Sequence, residues 1–315
     1  MSQNNEQMPE LFEKYPAGPA VRLFLGLDES QSLSEDSSPV LDGAFEKFMA
    51  LYIAAHPVDS ADELAALIDE LYKMGFAELA MVIHKRNANI DIANQFHGLL
   101  ALGAAALMTG DVQLAEGASV RAQALAPQEV APYFNAALAM QGAERQKDAI
   151  KWALSGLEVE KNHEPLWHLV VSENIQSNII DFKDLWQRAV DLGSWVGVAI
   201  LADSTALFTG AEALAALGHI YAEGERGEAF LVDYTGRLGQ AQDFARISTI
   251  IWELQSEKGV KNWMLLWHGY QAQLAIENSE NANRLASELL QRPDVPGEVK
   301  KLLQMDQQDP PELSL

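Results

Sequence analysis

Residues 96–127 read FHGLLALGAAALMTGDVQLAEGASVRAQALAP, and this stretch decides the fold. Leu99 and Gly103 lie about one helical turn apart, on what we predict to be the packed face of a helix. Gly110 follows in a Thr-Gly-Asp turn, and helical periodicity then resumes until Pro127. Because small residues line both predicted helices, the two can approach closely as an antiparallel hairpin.

The same pattern recurs further along the chain at a fixed step. One step takes Leu99 to Tyr133 and Gly103 to Ala137, and a second step takes Tyr133 to Trp167. A period of about 34 residues is typical of repeated helix–turn–helix units. The chain is therefore predicted to be all-α and built from stacked hairpins.

The pattern resembles the tetratricopeptide repeat (TPR) family, most clearly over residues 96–161, which span two repeats. The residues predicted to pack between helices are Leu99, Leu102, Gly103, Ala115, Ala122, Pro127, Tyr133, Ala137, Ala149 and Trp167. The resemblance implies an α-solenoid of antiparallel helical hairpins wound as a right-handed superhelix. It also implies a concave groove that holds a segment of another protein.

A third repeat departs from the pattern. Val170 and Val171 occupy the Leu-Gly positions, and Lys183 stands where a small alanine is expected. Larger side chains at these positions predict altered helix spacing. We expect degenerate TPR-like hairpins and a carboxyl-terminal cap from there to residue 304.

Composition divides the chain into five predicted parts. We expect a flexible acidic amino-terminal arm at residues 1–40, amino-terminal helices at residues 41–92 and the two clear repeats at residues 93–163. The further parts are the degenerate hairpins of residues 164–304 and the polar tail of residues 305–315. Within the arm, an apolar segment at 21–27 is expected to dock on the body or on another protein.

The first helices of the two repeats predict a peptide-binding groove. Its candidate residues, mostly apolar or neutral, are His97, Leu100, Ala104, Leu107, Met108, Phe134, Asn135, Leu138 and Gln141. We expect this face to hold an apolar helical or extended segment. The alternative is that adjoining helices or residues 21–27 cover it.

One known binding mode of the TPR family does not fit these residues. Some members grip a carboxyl-terminal carboxylate with lysine, arginine and asparagine side chains. Here Leu100 and Ala104 occupy two of those positions and Asn135 alone matches. The resemblance therefore does not imply a carboxylate clamp.

Charge narrows the possible partners. The sequence has 22 lysines and arginines against 45 acidic residues, a formal net charge of −23. Such a chain repels nucleic acid and favours a basic protein partner. No apolar run is long enough to enter a membrane, and the polar amino terminus has no secretory signal. The absence of cysteine favours a cytoplasmic location.

No catalytic or metal-binding motif stands out. The sequence has no HExxH, GxSxG, GxxxxGK[ST] or GxGxxG pattern. Only His163 and His168 lie close together, and their five-residue spacing with Pro165 between them does not suit a shared metal. We predict no cofactor, no metal and no enzymatic activity.

Three functional hypotheses follow. The first is a scaffold or adaptor that binds other proteins through the groove. The second is a chaperone that shields an apolar client segment. The third is a small-molecule sensor or an enzyme built on an α-solenoid, because a fold does not determine a function.

Overall fold

The computed structural model describes residues 58–73, 75–257 and 259–308. The predicted arm at residues 1–40 and its apolar segment at 21–27 lie outside these residues. So do residues 41–57 of the predicted amino-terminal helices and residues 309–315 of the tail. The described part is helical and contains no strand, which confirms the predicted all-α class.

Fifteen helices lie within the described residues. They are α1 (Ala61–Lys73), α2 (Ala77–Arg86), α3 (Phe96–Met108), α4 (Val112–Leu125), α5 (Ala131–Gly142), α6 (Gln146–Val159), α7 (Glu164–Ser177), α8 (Phe182–Asp191), α9 (Trp195–Ser204), α10 (Gly210–Ala222), α11 (Glu228–Gln240), α12 (Phe244–Glu257), α13 (Trp263–Ala275), α14 (Ser279–Gln291) and α15 (Gly297–Gln308).

The chain divides into two compact units between Ile180 and Asp181. In the amino-terminal unit each helix from α3 to α6 packs on the next one, and α3 also packs on α1 and α5. In the carboxyl-terminal unit successive helices from α8 to α15 pack in the same way, and α11 also packs on α13. Contact with the next helix and the next but one is the arrangement of stacked hairpins. The division falls inside the predicted segment 164–304.

Local sequence sets the ends of these helices. The Asp111 carboxylate accepts a hydrogen bond from the Leu114 N–H and caps α4. Gly110 precedes it with a φ of +78°, a left-handed conformation that glycine adopts without strain. Thr209 and Glu212 form a reciprocal capping box at the start of α10. Short capped turns of this kind hold consecutive helices side by side.

Glycines allow the closest helix approaches in the amino-terminal unit. A Cβ on Gly98 of α3 would lie 2.8 Å from the Ala65 Cα of α1. A Cβ on Gly156 of α6 would lie 2.9 Å from the Tyr133 Cβ of α5. Both distances are too short for a real side chain, so these helices pack in contact because the positions are glycine.

Candidate functional site

The residues predicted to pack between helices are mostly buried. The buried ones are Leu99, Leu102, Gly103, Ala115, Ala122, Tyr133, Ala137, Ala149 and Trp167. Pro127 is instead exposed, because it lies in the turn after α4 rather than between helices. A Cβ on Gly103 would lie 3.2 Å from the Ser119 Oγ of α4, so α3 and α4 touch at this point. In the third repeat Val170 and Val171 are buried, whereas Lys183 is exposed near the start of α8.

Two aromatic side chains make the same contact one repeat apart. The Tyr133 hydroxyl donates to the main-chain oxygen of Pro127 at 3.0 Å, and the Trp167 indole N–H donates to that of Lys161 at 2.8 Å. In both pairs the acceptor lies six residues before the donor, so the two acceptors are one repeat period apart, as the donors are. Trp167 therefore stands at the position that the repeat period predicts.

The candidate groove residues differ in exposure. Ala104 is buried and offers little surface to a ligand, whereas His97, Met108 and Gln141 are exposed. The half-buried ones are Leu100, Leu107, Phe134, Asn135 and Leu138. Each half-buried side chain packs against its surroundings and leaves part of its surface open. We call the surface formed by these residues of α3 and α5 the concave face, after the groove that the TPR resemblance predicts.

Side-chain contacts join the helices of the concave face. The Asn135 amide of α5 donates to the main-chain oxygen of Leu100 in α3 at 3.4 Å. The Phe134 ring lies 5.4 Å from the imidazole of His163, the residue that caps α7. These contacts link α3 to α5 and link α5 to the residue that precedes α7, which sequence periodicity alone did not establish.

A carboxylate lies at the end of this face. Glu173 of α7 is only 4% exposed, and its Oε1 accepts a hydrogen bond from the Gln141 Nε2 of α5 at 2.7 Å. One and two repeat periods before Glu173 stand Ala139 and Ala105, both fully buried. Glu173 was not among the predicted site residues. The repeat register would have revealed it as a carboxylate where two earlier repeats have alanine.

The two neighbouring histidines have separate local roles. The Nδ1 of His163 accepts a hydrogen bond from the Leu166 N–H, and His168 faces Glu164 one turn away at 3.5 Å. Across residues 58–73, 75–257 and 259–308, no group of three histidine or acidic side chains could hold a metal ion. None of the described helices is both long and apolar enough to span a bilayer.

A wide, open cleft of about 790 Å³ lies between α2 and the turn that joins α3 to α4. Its walls include the apolar Val82 and Met108 together with Lys85 and Asp111. Met108, predicted for the groove, therefore lies beside this cleft at the turn end of its hairpin. It is 67% exposed.

Polar contacts join successive hairpins in the carboxyl-terminal unit. Arg237 of α11 donates to both oxygens of Asp203 at 3.0 and 2.8 Å and also pairs with Asp233. These carboxylates raise the pKa of Arg237 above its usual value. Thr235 of α11 lies 2.8 Å from the Nδ1 of His268 in α13, and burial lowers the pKa of that imidazole. Sequence reasoning missed the pairs Arg237–Asp203 and Thr235–His268, whose partners are 34 and 33 residues apart.

A further contact of this kind links α10 to α12. The Tyr221 hydroxyl donates to the Glu253 Oε2 at 2.6 Å, and the Arg226 guanidinium lies 3.7 Å from the centre of the Tyr221 ring. Burial, followed by the bond to Glu253, raises the pKa of Tyr221 to about 12. The raised pKa keeps the phenol protonated well above neutral pH, so its hydroxyl remains a donor to the Glu253 carboxylate.

The helix pairs, their short turns and the contacts about one repeat period apart define a TPR-like, all-α repeat protein. No protein-family model matches the chain. No curated protein matches it either.

Two solved structures are similar in part. One is described as "MamA RS-1 ArsTM double mutant"; it is 17% identical, with a TM-score of 0.42, over 64% of this chain and 98% of that one. The other is described as "Functional Characterization of Pseudomonas Aeruginosa pilF"; it is 13% identical, with a TM-score of 0.35, over 78% of this chain and 99% of that one. Both TM-scores are below 0.5, so the fold assignment rests on the helices and contacts of this chain itself.

Proposed function

We propose that this chain is a non-enzymatic scaffold or adaptor that binds a segment of another protein on its concave face. The observation that carries the proposal is the set of four half-buried apolar side chains on that face, Leu100 and Leu107 of α3 and Phe134 and Leu138 of α5. Contiguous apolar surface beside polar residues is the common property of peptide-binding grooves.

The free energy for such binding comes from apolar surface. Covering about 40 Å² of apolar surface contributes roughly 1 kcal/mol. Each of the four side chains still has surface to cover, and a helical or extended segment can reach all of them across two neighbouring helices. The polar contact between Asn135 and Leu100 holds those helices together before a partner arrives. Pre-organisation reduces the entropy lost on binding.

Charge selects the kind of partner. With a net charge of −23, the chain attracts a basic segment over long distances and repels polyanions. The proposal is therefore a partner with an apolar, basic helical or extended segment, and it excludes nucleic acid as a ligand. We assign this activity to the cytoplasm, which a sequence without cysteine favours.

The test is affinity capture from native lysate with the whole chain, followed by mass spectrometry of the retained proteins. A variant that carries both Leu107→Lys and Phe134→Lys should capture the specific partner about tenfold less than the wild type does, because charges replace two apolar contacts. The matched control is Val120→Lys with Val159→Lys, two exposed valines on the second helices α4 and α6. Circular dichroism checks that both variants keep their helix content.

Equal capture by the groove variant and the wild-type chain would locate the interface elsewhere. Failure of any protein to bind specifically would favour the sensor or enzyme hypothesis instead. A chaperone would differ from a stable adaptor in its client stoichiometry and in client release.

A further inference from the structure

We infer that Glu173 pairs with a lysine or arginine side chain of the segment bound on the concave face, an inference that rests on the proposed function. It adds a charged specificity position to a surface of mainly apolar and neutral side chains. The bound segment then needs both apolar anchor residues and one basic residue at a fixed distance from them.

The Glu173 carboxylate is nearly buried without a cation. The residue is 4% exposed, and its described side-chain hydrogen bond comes from the neutral amide of Gln141. Among the residues that the structure describes, no lysine, arginine or histidine forms an ion pair with it. A carboxylate removed from water is costly unless a cation and hydrogen bonds compensate. A cation from a bound segment supplies that compensation.

The repeat register shows that packing does not require this charge. Ala105 and Ala139, at the equivalent positions of the two preceding repeats, are fully buried methyl groups. Proteins depart from their own local pattern mainly at functional sites. Glu173, at the third equivalent position, is such a departure. It also lies beside the concave face, whose apolar side chains are a separate ground for proposing that a segment binds there.

The carboxylate lies at the end of the apolar row on α5. Phe134, Leu138 and Gln141 have i, i+4 and i+7 spacing, so they share one face of that helix. With a rise of about 1.5 Å per residue, Gln141 lies about 5 Å beyond Leu138 along the axis and about 10 Å beyond Phe134. A basic residue at Glu173 is therefore within about seven positions of an apolar anchor, whether the segment is helical or extended.

The hydrogen bond from Gln141 to the Glu173 carboxylate is one that a ligand can replace. Its side chain is exposed, whereas the carboxylate to which it donates is buried. A glutamine side chain changes rotamer at modest cost, and a lysine or arginine makes a stronger, charge-assisted bond to the same oxygen. The free protein thus keeps one neutral hydrogen bond that a basic ligand exchanges for an ion pair.

The experiment selects random 16-residue peptides from a displayed library on three forms of the full chain. These are the wild type, Glu173→Gln, and the control Glu164→Gln, which removes the same charge from an exposed position on the same helix. Glu173→Gln keeps an oxygen that can accept the Gln141 bond and removes only the charge. The readout is the residue frequency at each aligned position of the enriched peptides.

We expect wild type and Glu164→Gln to enrich lysine or arginine at one position within about seven residues of an enriched apolar position. Glu173→Gln should keep the apolar preference and lose the basic one. For the best peptide, replacing its basic residue by norleucine should weaken binding to wild type at least tenfold and leave binding to Glu173→Gln nearly unchanged. This double-mutant cycle isolates the pair.

The failures can be told apart. Apolar enrichment without a basic position, or a basic position that survives Glu173→Gln, overturns the inference and leaves the proposed function standing. No enriched peptide on any form overturns both. Peptides are also selected on a full chain with Arg22→Glu. If a basic position is enriched on this variant and not on the wild type, residues 21–27 of the chain itself occupy the site, and the inference of a separate partner is overturned.

Discussion

Two kinds of contact join the hairpins, and one example from each compact unit shows the difference between them. In the amino-terminal unit the hairpins close on small residues, as at Gly98, where no side chain fits between α1 and α3. In the carboxyl-terminal unit polar pairs such as Arg237 with Asp203 and Thr235 with His268 join successive hairpins. Polar pairs also join hairpins in the amino-terminal unit, as at Gln141 and Glu173, so the repeated packing of helices is compatible with more than one kind of contact.

The largest expected effect concerns Trp167, the buried aromatic residue that extends the repeat period from the two clear repeats into the third. Trp167→Ala should cost about 4 kcal/mol of unfolding free energy, because it opens a cavity and removes the bond to the Lys161 oxygen. Urea unfolding of the variant and the wild type measures this loss of unfolding free energy. The control Trp252→Ala changes a side chain that is 58% exposed and should cost below about 1 kcal/mol. Similar losses in both variants would contradict the assigned register.

The next prediction tests whether a glycine is needed for the close approach of two helices in the amino-terminal unit. Gly98→Ala should cost about 2–3 kcal/mol, because the new Cβ would lie 2.5 Å from the Ala65 Cβ and force α1 and α3 apart. The control Gly117→Ala adds a methyl group on α4 where nothing lies within 4 Å. It should be neutral or stabilise the helix by up to about 1 kcal/mol. Equal tolerance of both alanines in thermal unfolding would refute close approach at Gly98.

The third prediction tests how much a polar pair between hairpins stabilises the carboxyl-terminal unit. Arg237→Met should cost about 1–2 kcal/mol, because Arg237 is largely buried and leaves two acidic partners unpaired. The exposed Arg145 also pairs with two acidic residues, Glu116 and Asp148, and Arg145→Met should leave the thermal midpoint nearly unchanged. If both variants behave alike, the polar links between carboxyl-terminal hairpins add nothing to stability.

The smallest effect is a pH dependence shared by both units. Burial lowers the pKa of His84, aided by Lys85 and Arg121, and burial lowers that of His268. A histidine with a depressed folded pKa binds fewer protons folded than unfolded, so its stabilising contribution is complete above about pH 6.5 and declines as the pH falls.

Thermal midpoints between pH 7 and pH 5 check this sign. His268→Gln should lose less stability on acidification than the wild type does. His219→Gln, which removes an exposed imidazole, is the control. A wild-type midpoint that falls no faster than that of His268→Gln would show that the buried imidazole does not contribute.

The apolar pattern was enough to predict the fold class, the turn at residues 109–111 and the register of Trp167. Apolar periodicity reports directly which face of a helix is packed. The described residues between 164 and 304 also form helices, in keeping with the predicted all-α class, although Val171 and Lys183 depart from the small-residue pattern.

The polar contacts could not be predicted in the same way. A glutamate such as Glu173 is usually exposed, and nothing in its immediate sequence indicates that Gln141, 32 residues away, covers it. Arg237 likewise pairs with Asp203 only because the fold brings the end of α9 within reach of the long Arg237 side chain of α11. Periodicity identifies the buried face of one helix, whereas a polar pair depends on how two helices meet. The groove assignment remains a prediction for the same reason.

The bonds of Tyr133 and Trp167 have an evolutionary consequence. Their acceptors are main-chain oxygens, and the acceptor residue is proline in one repeat and lysine in the next. No substitution can remove a main-chain oxygen, so the acceptor position is free to change while the bond persists. Only a donor with an N–H or O–H at the right reach must be retained, and tyrosine and tryptophan both serve. Such repeats can diverge until sequence comparison no longer detects them and still keep the same attachment between hairpins.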